Sequence, residues 1–137
     1  MCPPLAVSAH RRLVFRPGER GTGVRRGIDF VQLVLAQWRP GADEAVVGDV
    51  MLVAAELLAN AVDHAGGPLA LELWLGAGGE RLRIDVTDAG GGEPRILPVR
   101  ADEPRHRGLR IVDRLAAGWG CCPSGTGKTV WAELRLE

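Results

Sequence analysis

The sequence predicts an α+β domain: a two-layer α/β sandwich with a mostly antiparallel mixed sheet and helices on one face. Three observations predict it. Two long segments carry apolar residues at helical spacing, several short segments alternate apolar with polar residues, and glycines or prolines separate them. The chain has 137 residues, of which 46% are hydrophobic and 25% charged, as is typical of one globular domain. We expect residues 1–10 to be a flexible lead-in and residues 11–137 to form that domain.

Caps and turn residues bound the elements predicted in the first half of the chain. A short strand is expected over 12–16. Thr22 is a candidate cap for a first amphipathic helix, which ends at Pro40-Gly41. Asp43 is a candidate cap for a second helix, which runs to Ala65 and is stopped by the glycines that follow.

In the second half, a hairpin is followed by a long loop, a helix and a final strand. Charged and apolar residues alternate along the second strand of the hairpin, which predicts that one of its faces is buried. The loop exceeds about 12 residues, and loops of that length are commonly functional. The expected elements are a strand over 69–75, a turn over 76–80, a strand over 81–88, a loop over 89–105, a helix over 106–117 and a strand over 129–136.

Composition argues against several classes of protein. Basic and acidic residues balance at 17 each, so net charge gives no support for direct nucleic-acid binding. Three cysteines, two of them adjacent, make no disulfide framework and favour a reduced, cytoplasmic setting. No secretion leader is recognisable, and no apolar run approaches the roughly 20 residues that span a bilayer, so we expect no membrane association.

The most informative segment lies in the second predicted helix. At about 100° per residue, Glu56, Asn60 and Asp63 fall on one narrow stripe with His64 at its edge, and apolar residues fill the opposite side. The stripe either faces water or lines a site. An asparagine that can ligate a divalent cation lies one turn from a carboxylate that can accept a proton, which suits nucleotide chemistry.

A second candidate site follows the strand predicted over 81–88. Asp88 ends that strand, and three consecutive glycines follow it at 90–92. A carboxylate at this place can accept a hydrogen bond from an exocyclic amine such as that of adenine. Glycines let the backbone approach a ligand closely. The alternative is an ordinary turn, because aspartate and glycine are common turn residues.

Two further segments contain glycines beside basic residues. Gly108 starts a predicted helix next to Arg107, and a helix N-terminus attracts phosphate. The alternative is a helix that has a glycine in its first turn. Residues 125–129 resemble the end of a phosphate-binding P-loop, but Cys122 stands where the leading glycine belongs and a strand follows. A glycine-rich turn entering the last strand is the better interpretation.

Four segments in this order resemble the GHKL (Bergerat-fold) ATP-binding family, which is shared by histidine kinases, Hsp90, gyrase and MutL. They are E-L-L-A-N-A-V-D-H-A at 56–65, D-A-G-G-G at 88–92, R-G-L-R-I-V-D-R-L-A at 107–116 and G-K-T-V-W-A-E-L at 127–134. Length and the closing segment look closest to the stand-alone anti-sigma-factor serine/threonine kinases and their actinobacterial relatives. The resemblance covers about residues 10–136 and implies the α/β sandwich of that family.

The resemblance also implies that matching residues hold ATP and Mg²⁺. Glu56 is similar to the general base that prepares the attacking hydroxyl, and Asn60 is similar to the Mg²⁺ ligand. Asp88 is similar to the adenine-binding acid, and the segment 93–107 resembles the lid over the ATP. The remaining implied nucleotide-binding residues are His64, Gly90, Gly92, Arg107, Gly108, Leu109 and Thr129, the last of them close to the adenine and its water.

The implied function is that of an ATP-binding regulator of transcription. The resemblance implies an anti-sigma factor that phosphorylates a serine on an anti-anti-sigma (STAS-type) protein and sequesters a sigma factor. Relatives are often dimeric, so a homodimer is also implied. The lid in this family commonly ends in G-x-G, whereas His106 precedes Arg107-Gly108 here. This departure favours an alternative, an ATP-binding partner-capture module without kinase activity. A structural domain without nucleotide is a third hypothesis.

Overall fold

The computed structural model describes residues 6–16, 19, 21–90, 108–125 and 127–137, within which the chain forms five strands and three helices. In chain order these are β1 (Val7–Val14), α1 (Gly21–Trp38), α2 (Glu44–Ala65), β2 (Pro68–Gly76), β3 (Arg81–Asp88), α3 (Gly108–Leu115), β4 (Gly118–Ser124) and β5 (Gly127–Arg135). The predicted order of elements is confirmed, with β4 as an additional strand.

The five strands form one sheet in the order β1-β2-β3-β5-β4, and every neighbouring pair is antiparallel. The sheet is therefore antiparallel throughout and not mixed. β2 and β3 form a hairpin whose turn holds Gly78 and Gly79 at φ 92° and 75°, a left-handed conformation that favours glycine. β3 and β5 are neighbours with Asp88 opposite Lys128, so the end of one strand meets the start of the other.

The helices cover one face of the sheet and enclose the hydrophobic core. Alternate residues of each strand point to that face, and on β3 these are Leu82, Ile84 and Val86. Fully burying such a side chain stabilises the fold by about 1.5–3 kcal/mol. The buried side chains of α2 are those of Val50, Val53, Ala54, Leu57, Leu58 and Ala61. The fold is the two-layer α/β sandwich that the sequence predicts.

α2 begins and ends at the residues that the sequence indicates. Asp43 is its N-cap, and the carboxylate accepts a hydrogen bond from Ala45 N at 3.1 Å. Such a cap is worth about 1 kcal/mol. Gly66 is its C-cap at φ 75°, and the cap N–H donates to Ala61 O. The polar stripe predicted on this helix is therefore carried by an element that is anchored at both ends.

α2 is also long and apolar enough to cross a membrane, judged by length and composition alone. It has 22 residues, and the mean hydropathy of its most apolar window is 1.8. The expectation that no segment approaches a membrane-spanning length is wrong for this helix. Core helices of globular proteins pass the same test, and α2 packs against α1, α3 and the sheet.

Several boundaries differ from the prediction. β1 begins at Val7, inside the expected lead-in, because it pairs along the length of β2. α1 begins at Gly21, so Thr22 lies in its first turn and does not cap it. β4 lies between the helix predicted over 106–117 and the predicted final strand, where the sequence predicts no strand. Its glycines and Pro123 have low strand propensity, and the proline is tolerated because β4 is an edge strand.

Cys122 on β4 is buried and disulfide-bonded. The expectation of a reduced setting, drawn from the number and spacing of the cysteines, did not include this bond. The spacing of cysteines along a sequence does not determine which of them meet in the fold, so the pairing was not predictable from the chain alone.

Candidate functional site

Asp88, the last residue of β3, is a buried carboxylate at the centre of the candidate site. Only 1% of its surface is exposed. Its Oδ1 accepts hydrogen bonds from Lys128 Nζ at 2.9 Å and from Gly90 N at 2.8 Å. Its Oδ2 is buried and has no hydrogen-bond partner within the described part of the chain. One oxygen of this carboxylate is thus doubly hydrogen-bonded, and the other is unpaired.

The unpaired Oδ2 of Asp88 requires an explanation. A buried acceptor without a partner is unfavourable by about 1–3 kcal/mol, and by more for a charged group. Nearly all buried polar atoms in proteins are hydrogen-bonded. A ligand that donates an N–H to Oδ2 would remove the penalty. The exocyclic amine of adenine is such a donor, which is consistent with the role that the sequence implies for Asp88.

The surroundings of Asp88 are formed by the last turn of α2 and the start of β5. A Cβ atom on Gly90 would lie 2.7 Å from the Cβ of Ala65 and 3.2 Å from Lys128 Nζ. A Cβ atom on Gly127 would lie 1.8 Å from the Asp88 carbonyl oxygen, so it would require the backbone to move. Glycine at both positions therefore lets three elements converge on one carboxylate.

Glu56 and Asn60 lie one turn apart on α2, and both are partly buried. The Asn60 Nδ2 atom is buried and has no hydrogen-bond partner among the described residues. Burial raises the pKa of the Glu56 carboxyl, and the nearby negative charge of Asp63 raises it further. A carboxylate with a raised pKa is a stronger proton acceptor while it remains ionised. α2 therefore carries an amide whose nitrogen has no partner among the described residues and, one turn away, a carboxylate suited to accept a proton.

A metal ion at this site would have few protein ligands. The residues that the structure describes contain no group of three or more His, Cys, Asp or Glu side chains that could enclose a metal. Mg²⁺ does not require such a cage, because it keeps several waters and is shared with substrate phosphates. Asn60 could supply a single protein ligand of this kind through its amide oxygen, whereas its unpaired Nδ2 is a donor that could bond to a phosphate or water.

The Thr129 side chain lies on the face of β5 opposite to that of Asp88. Residues alternate between the two faces of a strand, and Lys128 shares the helix-covered face with Asp88. The Thr129 hydroxyl lies 2.8 Å from the hydroxyl of Thr87, on the opposite face. Sequence reasoning missed Lys128 as a residue of the site. The alternation of apolar residues along the final strand was the signal that could have identified it.

The remaining predicted residues lie on α2 or α3 or outside the described ranges. His64 is exposed in the last turn of α2. Leu109 is buried directly after the start of α3, and α3 packs against α2. The positions that lie outside the described residues are Gly92, Arg107 and the lid segment 93–107.

Residues 24–133 match the family described as the histidine kinase-like ATPase domain. The match runs from α1 to β5 and includes Glu56, Asn60 and Asp88. No curated protein matches the chain. The antiparallel sheet covered by helices on one face is consistent with this family. The chain therefore belongs to the family of histidine kinase-like ATPase domains.

Proposed function

We propose that this protein is an ATP-binding regulatory protein with serine/threonine kinase activity. Its family membership supports the binding of ATP. The observation that carries the proposal is the buried, unpaired Oδ2 of Asp88, which can accept a hydrogen bond from the adenine amine. The base would then be anchored at the end of β3.

In this proposal the phosphates of ATP lie beside α2. Asn60 would hold the Mg²⁺ ion, and Mg²⁺-ATP supplies the phosphoryl group when it is bound. Glu56, one helical turn from Asn60, accepts the proton of the attacking hydroxyl. The burial that raises the pKa of Glu56 supports this assignment, because it strengthens the carboxylate as a base.

We further propose that the hydroxyl belongs to a serine of an anti-anti-sigma (STAS-type) protein. In this proposal the kinase itself, and not the STAS-type protein, sequesters a sigma factor. The kinase would then be a homodimeric anti-sigma factor that regulates transcription in the cytoplasm. The support is the resemblance of four segments to the stand-alone kinases of that type: 56–65, 88–92, 107–116 and 127–134. Direct nucleic-acid contact is not part of the proposal, because basic and acidic residues balance.

Titration with Mg²⁺-ATP tests the binding step. At 100 times the dissociation constant, the nucleotide should stabilise the folded protein by about 2.7 kcal/mol. Asn60→Ala should weaken the Mg²⁺-dependent part of the affinity measured by calorimetry. If the wild type shows neither heat nor stabilisation, the protein is a structural domain without nucleotide and the proposed function fails.

Transfer of labelled phosphate from ATP to a STAS-type partner tests the kinase step. Glu56→Gln keeps the shape of the side chain but cannot accept a proton. We expect transfer to fall by about 10²–10⁴-fold, with the affinity for Mg²⁺-ATP unchanged. Asp49→Asn is the matched control, because Asp49 is an exposed acid on the same helix. Normal phosphorylation by the Glu56→Gln variant would show that Glu56 is not the base.

An ATP-binding partner-capture module without kinase activity is the alternative function. The replacement of G-x-G by His106-Arg107-Gly108 favours it, because this segment corresponds to the hinge of the lid in the family that the chain resembles. In that case the wild type binds Mg²⁺-ATP and its partner but transfers no label. Partner binding that depends on the nucleotide would then identify ATP as a switch and not as a substrate.

A further inference from the structure

Lys128 is an unusual residue for the place it occupies. The chain has 16 arginines and a single lysine, and that lysine is only 5% exposed. Lysine is rarely buried unless it is paired with an opposite charge. Its Nζ lies 2.9 Å from Asp88 Oδ1, and this contact joins residues 40 positions apart. The only lysine of the chain is therefore placed against the carboxylate proposed to bind the base.

The hydrogen bonds of Asp88 are distributed unevenly between its two oxygens. An ionised carboxylate has two oxygens with about four acceptor positions in total. Lys128 Nζ and Gly90 N both donate to Oδ1, so the two acceptor positions of that oxygen are taken. Oδ2 is buried and has no partner in the described part of the chain. The carboxylate therefore presents one acceptor oxygen to a ligand.

One acceptor oxygen suits adenine better than guanine. The adenine edge offers one exocyclic amine beside a ring nitrogen that accepts a hydrogen bond. The guanine edge offers a ring N–H and an exocyclic amine side by side, and these two donors pair best with both oxygens of a carboxylate. As long as Oδ1 of Asp88 is saturated, that bidentate pairing cannot form.

We propose that Lys128 is a positioning residue that makes the site select adenine over guanine by saturating Oδ1 of Asp88. This inference rests on the proposed binding of a purine nucleotide. Lysine suits the task because its ammonium is a compact point charge that can be held on one oxygen. The guanidinium fork of arginine, which supplies every other basic side chain here, binds both carboxylate oxygens at once and would also occupy Oδ2.

Two substitutions at position 128 should therefore act in opposite ways. Lys128→Met frees an acceptor position on Oδ1, so the preference for ADP over GDP should fall by about tenfold or more. Lys128→Arg covers Oδ2, so ADP binding should itself weaken by about tenfold or more. Glu133→Gln is the matched control, because this side chain also lies on β5, faces away from Asp88 and contacts Arg81, so it should leave the preference unchanged.

Calorimetric titration of each folded variant with Mg²⁺-ADP and with Mg²⁺-GDP is the experiment, and circular dichroism verifies folding. A wild type that binds neither nucleotide overturns the proposed function together with this inference. A wild type that prefers ADP, with an unchanged ratio in Lys128→Met, overturns the role of Lys128 alone. If Lys128→Met does not fold, Lys128→Ser gives the same test, because its hydroxyl is too short to replace the ammonium on Oδ1.

Discussion

The sheet carries a buried polar cluster on each of its faces, and the two clusters are built differently. On the face away from the helices, Arg83 Nε lies 2.8 Å from Asp85 Oδ1, and the guanidinium stacks 4.9 Å from the ring of Trp131. On the helix-covered face, Lys128 pairs with Asp88 and leaves Oδ2 of that carboxylate unpaired. Both clusters bury an ion pair that includes an aspartate of β3, yet only the second has a carboxylate oxygen without a hydrogen bond among the described residues.

The first cluster is extended by further interactions along the same face. His10 stacks on Trp74 with ring centroids 3.7 Å apart, and His10 Nε2 lies 2.8 Å from Glu72 Oε2. Within the described residues, the buried side-chain atoms without a hydrogen bond belong to Asn60 and Asp88, not to this face.

The presence of an unpaired carboxylate oxygen in only one cluster indicates what each cluster does. A buried ion pair whose hydrogen bonds are complete stabilises or specifies a fold and needs no further partner. A buried ion pair with an unpaired oxygen is incomplete until a donor arrives. The cluster away from the helices is therefore structural, and the one beneath α2 fits a ligand site. Substitutions on one face should change stability, and substitutions on the other should change nucleotide affinity.

The largest expected effect is on the structural face. Arg83→Met removes one partner of a buried pair and leaves Asp85 as an uncompensated charge, which should lower the free energy of unfolding by about 3–5 kcal/mol. Urea denaturation followed by circular dichroism measures it. The double variant Arg83→Met with Asp85→Leu should regain much of the loss, because no charge is then left unpaired. A weakened nucleotide affinity in the folded Arg83→Met variant would contradict the division between the two faces.

A somewhat smaller effect is expected on nucleotide binding. Asp88→Asn places an amide N–H where Oδ2 accepts, so two donors would meet at the adenine amine. We expect the affinity for Mg²⁺-ADP, measured by calorimetry, to fall by about ten- to a hundredfold. Asp85→Asn is the matched control, because it lies on the same strand but faces away from α2. Equal loss of affinity in both variants would make the distinction between the clusters untenable.

The smallest effect concerns the dependence of stability on pH. The folded protein raises the pKa of Glu56 above its ordinary value of 4.5, chiefly by burial. The folded state therefore holds this proton more tightly than the unfolded state, so an ionised Glu56 destabilises the fold above the folded pKa. Glu56→Gln should be more stable than the wild type at neutral pH. The difference should shrink as the pH falls through the folded pKa towards 4.5.

Denaturation of both proteins across that pH range measures this difference, and Asp49→Asn serves again as the control on α2. A difference that grows as the pH falls would mean that the pKa of Glu56 is lowered in the fold. A variant that is more stable but inactive in transfer would show that the site retains a group that function needs at the expense of stability.

The predictable parts of the structure are those with local signals. Asp43 and Gly66 bound α2 because capping depends on a few neighbouring residues. β3 was predicted with its observed bounds, since its alternation is continuous from Arg81 to Asp88. β4 has no such signal: its glycines and Pro123 lack strand propensity, and it is a strand because it pairs with β5.

The sequence by itself determined that an acid and an amide lie one turn apart on a capped helix and that a carboxylate ends a half-buried strand. Periodicity and caps are local, so the chain specifies them before it folds. Only the tertiary structure decided that Lys128, and not Thr129, faces Asp88. That choice depends on the pairing of β3 with β5, and a shift of one residue in the register would have brought the other face of β5 to the site.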